Sequence, residues 1–109
     1  MPTLPRQLIL GHRKIKIHRW TSKTASRRNA YGEFMADQDK ICIDRNLKPK
    51  VMANTLLHEI MHLIANHYYW EIPLKDEERI CETTGNALSD LFVQNPKLVE
   101  FLHKSFIKE

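Results

Sequence analysis

His58-Glu59-Ile60-Met61-His62 is the stretch of this 109-residue chain that says most about its fold. In a helix, His58 and His62 lie one turn apart on the same face, so both imidazoles can bind one cation. Glu59 lies about 100° around the helix, close to a metal-held water but not placed as a ligand. Zinc accepts two neutral imidazoles and one carboxylate, with a fourth position open to water. The stretch therefore predicts a zinc site with Glu59 as the catalytic base.

The residues around this motif predict that its helix is buried. A narrow polar stripe contains both histidines, and apolar residues fill the remaining arc: Ala53, Leu56, Leu57, Ile60, Met61, Leu63, Ile64 and Ala65. A helix that is apolar nearly all round lies in the middle of a small domain. Its polar stripe must then face a cleft or be hydrogen-bonded internally. A surface helix that carries two histidines by chance would have a wider polar face, so the metal site is favoured.

The third zinc ligand is expected on the helix that follows. Residues Lys75–Val93 have helical periodicity, and Glu82 lies within them, twenty residues after His62. Glu78 lies one turn earlier on the same polar stripe and is the alternative ligand. Two packed helices that each offer a polar stripe can form a three-ligand site with an open position. One zinc ion per chain, bound by His58, His62 and Glu82, is the prediction.

The motif and its spacing resemble a known group of enzymes. His58-Glu59-Ile60-Met61-His62, followed by Glu82, resembles the gluzincin pattern, in which a downstream helical Glu completes H-E-x-x-H. The segment Glu82-Thr-Thr-Gly85-Asn86-Ala87 is similar to the E-x-x-A-N segment of the ImmA/IrrE-like metallopeptidases, with Gly85 in place of the usual Ala. Over roughly residues 7–102, the layout resembles the very small single-domain zincins of tailed phages and prophages. The resemblance implies a zinc metallopeptidase and makes a cytoplasmic regulatory protein, such as a repressor, the expected kind of substrate.

Length and composition restrict the remaining possibilities. A chain of this size has room for one domain, here residues 1–109, and its apolar and charged content is typical of a globular protein. No stretch approaches the ~20 apolar residues of a membrane span. The first residues lack the apolar core of a signal peptide, so a cytoplasmic location is expected. Cys42 and Cys81 have no C-x-x-C spacing and are predicted to be reduced, buried thiols.

Charge is distributed unevenly along the chain. Residues 1–50 contain twelve Lys or Arg and four Asp or Glu, whereas residues 51–109 contain five and nine. A basic half can bind nucleic acid through phosphates or favour an acidic face on a protein target. Alternatively, Arg13, Lys14, Lys16 and Arg19 can be the solvent-facing charges that protect an edge strand. No nucleic-acid-binding motif accompanies them, so nucleic acid is the less favoured partner.

The order of patterns predicts an α+β fold: a minimal zincin-like domain with a three-stranded, mostly antiparallel sheet followed by three helices. Residues 7–20 form extended pieces around Gly11, and residues 21–29 have no periodicity and are expected to be a loop. Tyr31–Met35 and Lys40–Asp44 form strands joined by a turn. Pro49 suits the first turn of the motif helix. Asn95 and Pro96 are predicted to cap and open the last helix.

The predicted activity is hydrolysis of peptide bonds by zinc-bound water, with Glu59 taking its proton and delivering it to the leaving amine. Secondary candidates are Asn54, Asn66 and Asn86 as residues that orient ligands, Tyr31, Tyr68 and Tyr69 as oxyanion donors, and residues 31–34 as an edge strand that pairs with substrate. His12, His18, His67 and His103 are not expected to bind the metal. The alternatives are a zinc-binding interaction protein without catalysis and a nucleic-acid-associated protein.

Overall fold

The computed structural model describes residues 3–108 and confirms the α+β class. In chain order, the elements are β1 (Gln7–Leu10), β2 (Arg13–Trp20), α1 (Ser22–Arg28), β3 (Gly32–Met35), a 3-10 turn (Ala36–Gln38), β4 (Lys40–Asp44), α2 (Pro49–His67), α3 (Leu74–Gln94) and α4 (Pro96–Phe106). None of the helices in residues 3–108 combines the length and the apolar character needed to cross a membrane.

The sheet has four strands in the order β1-β2-β4-β3, one more than predicted. β1 pairs with β2 and β3 with β4 in antiparallel fashion, whereas β2 and β4 are parallel, so the sheet is mixed but mostly antiparallel. The extra strand arises because the two extended pieces that the sequence predicts around Gly11 pair with each other as a hairpin. Gly11 allows its tight turn, since its φ of 62° lies in the left-handed region that glycine enters without steric cost.

A short helix occupies the segment that the sequence predicted to be a loop. Thr21 caps α1 by accepting a hydrogen bond from the Thr24 N–H, and Asn29 ends the helix in the left-handed conformation with a φ of 53°. Only Ala25 of this helix is buried. The prediction failed because a two-turn helix with one buried residue has no apolar periodicity, and only its caps mark it in the sequence.

The core lies between one face of the sheet and α2. Ile15, Ile41, Ile43 and Leu63 are buried there, with Leu56 and Ile60 packed against them. One face of the motif helix covers the sheet, but only five of its nineteen residues are buried, so the helix is less enclosed than the sequence predicted. A second, smaller cluster on the opposite face joins Trp20, Ala25 and Cys42, and it holds α1 against the sheet.

The predicted starts of the helices agree with the structure, and only the cap of α4 differs. Pro49 stands in the first turn of α2 as predicted, and α3 covers the segment predicted to be helical. Asn95 does not cap α4 through its side chain. Its Nδ2 donates instead to the Leu91 carbonyl at 2.9 Å, so this residue closes α3.

Candidate metal centre and cleft

Helix α2 brings the two histidines of the motif together, as the spacing predicted. His58 and His62 lie one turn apart, and their Nε2 atoms are 3.2 Å from each other. Their side chains are partly exposed, with relative accessibilities of 23% and 17%. The two nitrogens therefore converge on one point of α2, beside its buried residues Glu59, Met61 and Leu63.

Helix α3 adds a carboxylate to this point, and the residue is Glu78. Its Oε1 lies 2.7 Å from His58 Nε2, and its Oε2 lies 3.0 Å from His62 Nε2. The ligand atoms of the three residues all lie within 4.8 Å of one another, which makes them a group able to hold a metal ion. The alternative that the sequence left open is thus the one that the helices bring to the histidines.

Glu82, the residue that the sequence favoured as third ligand, is not in a ligand group among residues 3–108. It lies one turn further along α3 and lines a smaller cleft of about 320 Å³, whose lining also includes His58, Glu59 and Glu78. The reason is the register of the two helices. A Cβ added to Gly85 would lie 3.4 Å from the His58 backbone nitrogen, so the backbones cross there. The stripe alone could not reveal this register, because Glu78 and Glu82 share it.

The donor geometry fits zinc. Zn–N bonds of about 2.0–2.1 Å at a tetrahedral angle place two ligand nitrogens about 3.3 Å apart, close to the 3.2 Å found for His58 and His62. The Glu78 carboxylate lies within 3.0 Å of the Nε2 atoms of both histidines, and a positive charge between these groups stabilises the arrangement. One divalent ion supplies it without requiring that both imidazoles be protonated.

Glu77 is a functional candidate that the sequence analysis missed. Its Oε2 lies 2.7 Å from His62 Nδ1, and its side chain is largely buried. A carboxylate only accepts hydrogen bonds, so Nδ1 carries the proton and the Nε2 lone pair is left for a metal. Its signal in the sequence is an acidic residue on the apolar face of α3, one turn before the buried Cys81.

Cys81 lies behind His62, with its Sγ 3.5 Å from Nδ1. It forms a second potential ligand group with His62 and Glu77. Burial raises the pKa of the Cys81 thiol to about 11, and the nearby carboxylates of Glu77 and Glu78 act in the same direction. Cys81 lies at Nδ1 of His62, which donates to Glu77, and not at the Nε2 atom that faces Glu78, so we assign the buried thiol to packing. Both cysteines are free and buried, as predicted.

Glu59 lies beside the histidines but outside the ligand groups of residues 3–108. Its side chain is buried, and its Oε1 accepts a hydrogen bond from the Phe34 N–H at 2.9 Å. Burial raises the pKa of Glu59, an effect opposed by the nearby histidines and by the Phe34 hydrogen bond. The bond ties the motif helix to β3 and fixes the position of the carboxylate.

The other polar candidates have different partners. Asn54 donates to Asn86 Oδ1 and Ser89 Oγ, both at 3.0 Å, and Asn66 accepts from Arg13. None of these contacts orients a histidine. Of the three tyrosines, Tyr69 lines the large cleft and Tyr31 the small one, and all three are well exposed. His12, His18, His67 and His103 are in neither ligand group.

An open cleft of about 800 Å³ surrounds the site. Its walls are β3, the motif and the turn between α2 and α3, where Tyr69 and Leu74 are 85% and 81% exposed. The lining includes five glutamates and no Lys or Arg: Glu33, Glu59, Glu71, Glu77 and Glu78. The basic charge of the first half of the chain therefore lies elsewhere, and the cleft itself is acidic.

Comparison with protein-family models, with curated proteins and with solved structures gives no match for this chain. Functional interpretation therefore depends on the motif and on the geometry of its residues.

Proposed function

We propose that this chain is a zinc-dependent metallopeptidase in which Glu78, rather than the Glu82 of the gluzincin-like pattern, completes the metal site. The observation that supports this most strongly is the convergence of His58, His62 and Glu78 at 2.7–3.2 Å. A buried carboxylate, Glu59, lies beside them in an open cleft. A purely structural zinc site normally has four protein ligands, whereas this cluster offers three and faces solvent.

The proposed mechanism gives one role to the metal and one to each of three residues: Glu59, Glu77 and Phe34. Bound zinc would polarise the scissile carbonyl and lower the pKa of a water molecule. Glu59 takes the proton of the attacking water and then passes it to the leaving amine. Glu77 holds His62 in the tautomer that leaves Nε2 free. The Phe34 N–H keeps the Glu59 carboxylate in place during both proton transfers.

The substrate is proposed to be an extended segment that pairs with β3. This strand is at the edge of the sheet. The Tyr31 carbonyl accepts from the Asp44 N–H of β4. Since successive residues of a strand direct their N–H and C=O groups to opposite sides, those of Gly32 and Phe34 point to the free edge. The N–H of Phe34 is bonded to Glu59, and its carbonyl is left to receive a substrate N–H. An added strand gains main-chain hydrogen bonds there, next to the catalytic residues.

The charge of the cleft suggests which segments it accepts. Five glutamates without Lys or Arg favour a substrate with basic residues near the cleaved bond. This replaces the acidic target that the basic first half suggested, because that basic charge is absent from the cleft. Exposed Tyr69 and Leu74 offer apolar contacts at the rim. A specific cytoplasmic protein remains the proposed substrate, and two unpaired cysteines agree with a reducing compartment.

The test is a comparison of wild type with Glu59→Gln. The amide oxygen of Gln can still accept from the Phe34 N–H, so zinc content and melting temperature should be preserved. It cannot accept the proton of water, and loss of a general base lowers rates by about 10²–10⁴-fold. Zinc-loaded protein of each kind would be incubated with a cytoplasmic extract, and new peptide termini would be identified by mass spectrometry. Cleavage at equal rates by both proteins contradicts the assignment of Glu59.

One observation supports the second candidate, a zinc-binding interaction protein. The hydrogen bond between Glu59 and Phe34 already gives this buried carboxylate a structural role. In that case no new termini appear with wild type, and Glu59→Gln changes neither zinc content nor partner binding. Glu59→Ala removes both the base and the acceptor of the Phe34 N–H. A loss of stability in Glu59→Ala that is absent in Glu59→Gln therefore measures the structural role of the hydrogen bond.

A further inference from the structure

The part of the outer sheet face that α1 leaves uncovered, opposite α2, carries a cluster of basic side chains. Lys14, Lys16 and His18 alternate with the buried Ile15 on β2, so they point away from the core. Lys40 of β4 is the register partner of Lys16. Together with Arg6, these residues form what we name the basic face: Arg6, Lys14, Lys16, His18 and Lys40.

The charges of this face are uncompensated. Within residues 3–108, no carboxylate lies within 4.0 Å of the charged nitrogens of Arg6 or of the three lysines. The acidic residues nearby have other partners: Asp39 pairs with Arg13, and Glu33 pairs with Arg28. A groove of about 740 Å³ on this face has Arg6, Lys16, His18 and Lys40 in its lining, and no acidic residue.

Edge protection does not explain the arrangement. β2 lies between β1 and β4, so its backbone groups are already paired and its lysines shield no edge. An open sheet face needs polar residues but not residues of one sign. Like charges on directly neighbouring strand positions destabilise a sheet, and Lys16 and Lys40 occupy such positions. A bound polyanion would remove this repulsion.

We propose that the basic face binds the phosphate backbone of duplex DNA without reading its sequence. Among large apolar residues, Ile9 is exposed on this face, at 65%, whereas Trp20 is buried. A single exposed apolar residue is too little for the desolvated centre of a protein interface. The basic face contains no Phe, Tyr or Trp, so it lacks a large ring on which unpaired bases could stack. Phosphates need only positive charge, and duplex DNA presents one about every 1.7 Å of its axis.

The face is separate from the cleft. The sheet lies between them, since α2 covers one side and the basic residues occupy the other. A chain bound to DNA in this way keeps its acidic cleft free for a basic segment of a protein on the same DNA. DNA binding does not depend on the proposed peptidase activity, and either can fail without the other.

The test is fluorescence anisotropy with a labelled duplex of about 20 base pairs at several salt concentrations. Contacts with about four phosphates give a slope of log K against log[salt] near −3.6, so affinity should fall by about 10²-fold between 50 and 200 mM salt. The triple substitution Lys14→Gln, Lys16→Gln and Lys40→Gln should weaken binding at least tenfold and reduce the slope to about −1. Its melting temperature should be unchanged or higher, because cross-strand repulsion is relieved.

The matched control is Lys75→Gln, Lys97→Gln and Lys108→Gln, which removes the same charge from α3, α4 and the residues after α4. This control should bind DNA nearly as wild type does. Equal loss in both triple variants would show that net charge alone acts, and this would overturn the proposal. Tighter binding to vesicles with anionic lipid, or equal binding to polyglutamate, would also overturn it, in favour of a membrane or an acidic protein.

Discussion

At the scale of single residues, Glu77 is expected to control zinc affinity through His62. The substitution Glu77→Gln replaces a charged acceptor at 2.7 Å by a neutral one. Partners of this kind typically contribute 10–100-fold in metal affinity. We therefore expect a 10–100-fold weaker zinc affinity, measured by competition with a chromophoric chelator, in a protein that still folds. Asp76→Asn, one position earlier and paired with Arg79, is the control and should leave zinc affinity unchanged.

The sequence identified the three motif residues of the candidate site but not its third ligand, and the reason is geometric. His58, Glu59 and His62 are fixed relative to each other by one helix, so their spacing determines their geometry. The third ligand depends on how two helices align, and a shared stripe cannot distinguish Glu78 from Glu82. Glu77 lies on the apolar face of α3, and only the packed pair of helices shows that its partner there is His62.

At the scale of elements, two glycines set the distances around the site. A Cβ at Gly32 would lie 2.8 Å from the Cys42 carbonyl oxygen, a backbone atom that cannot easily move. We expect Gly32→Ala to destabilise the fold by about 1–3 kcal/mol, which for a domain of this size lowers the melting temperature by roughly 4–8 °C per kcal/mol. A melting temperature equal to that of wild type would contradict the close approach of β3 to β4 and α2.

Gly85 is expected to behave differently, because its added Cβ would meet the His58 backbone at 3.4 Å. That distance is almost an ordinary contact, and Ala is favoured over Gly in a helix by up to about 1 kcal/mol. Gly85→Ala should therefore be neutral or stabilising in thermal unfolding. Gly85→Leu should separate α3 from α2, lower the melting temperature and weaken zinc binding together. Unchanged zinc affinity in the Leu variant would show that the register of the helices does not position the site.

The elements that the sequence predicted well are those with a strong pattern. A short strand-like run bounded by turn residues indicated β4 with its exact bounds, and helical periodicity indicated α2 and α3. The piece before Gly11 was predicted to be extended but was not counted as a strand of the sheet, and α1 was missed because a pair of caps leaves little trace in hydrophobicity. The parallel pairing of β2 and β4 is a tertiary property, since β4 enters the sheet between two earlier strands.

At the scale of the whole molecule, charge is separated between two surfaces. The cleft is lined by five glutamates, whereas the open side of the sheet carries the basic face. Once a substrate is identified, peptides that carry its cleaved segment with added Lys or Arg should be cleaved faster than those with Asp or Glu. The difference should shrink as salt is raised, because exposed charges are screened beyond about 8–10 Å at physiological ionic strength. Faster cleavage of the acidic peptides would contradict the assignment of the cleft.

The measurement that tests the central claim most directly is the zinc content of Glu78→Ala and Glu82→Ala beside wild type. Each protein would be loaded with zinc, dialysed and analysed by mass spectrometry of the metal, with circular dichroism to confirm folding. We predict about one zinc per chain in wild type and in Glu82→Ala, and its loss in Glu78→Ala and in His62→Ala. Full zinc retention in Glu78→Ala with loss in Glu82→Ala would return the third ligand to Glu82. Wild-type protein that binds no zinc would contradict the metal centre itself.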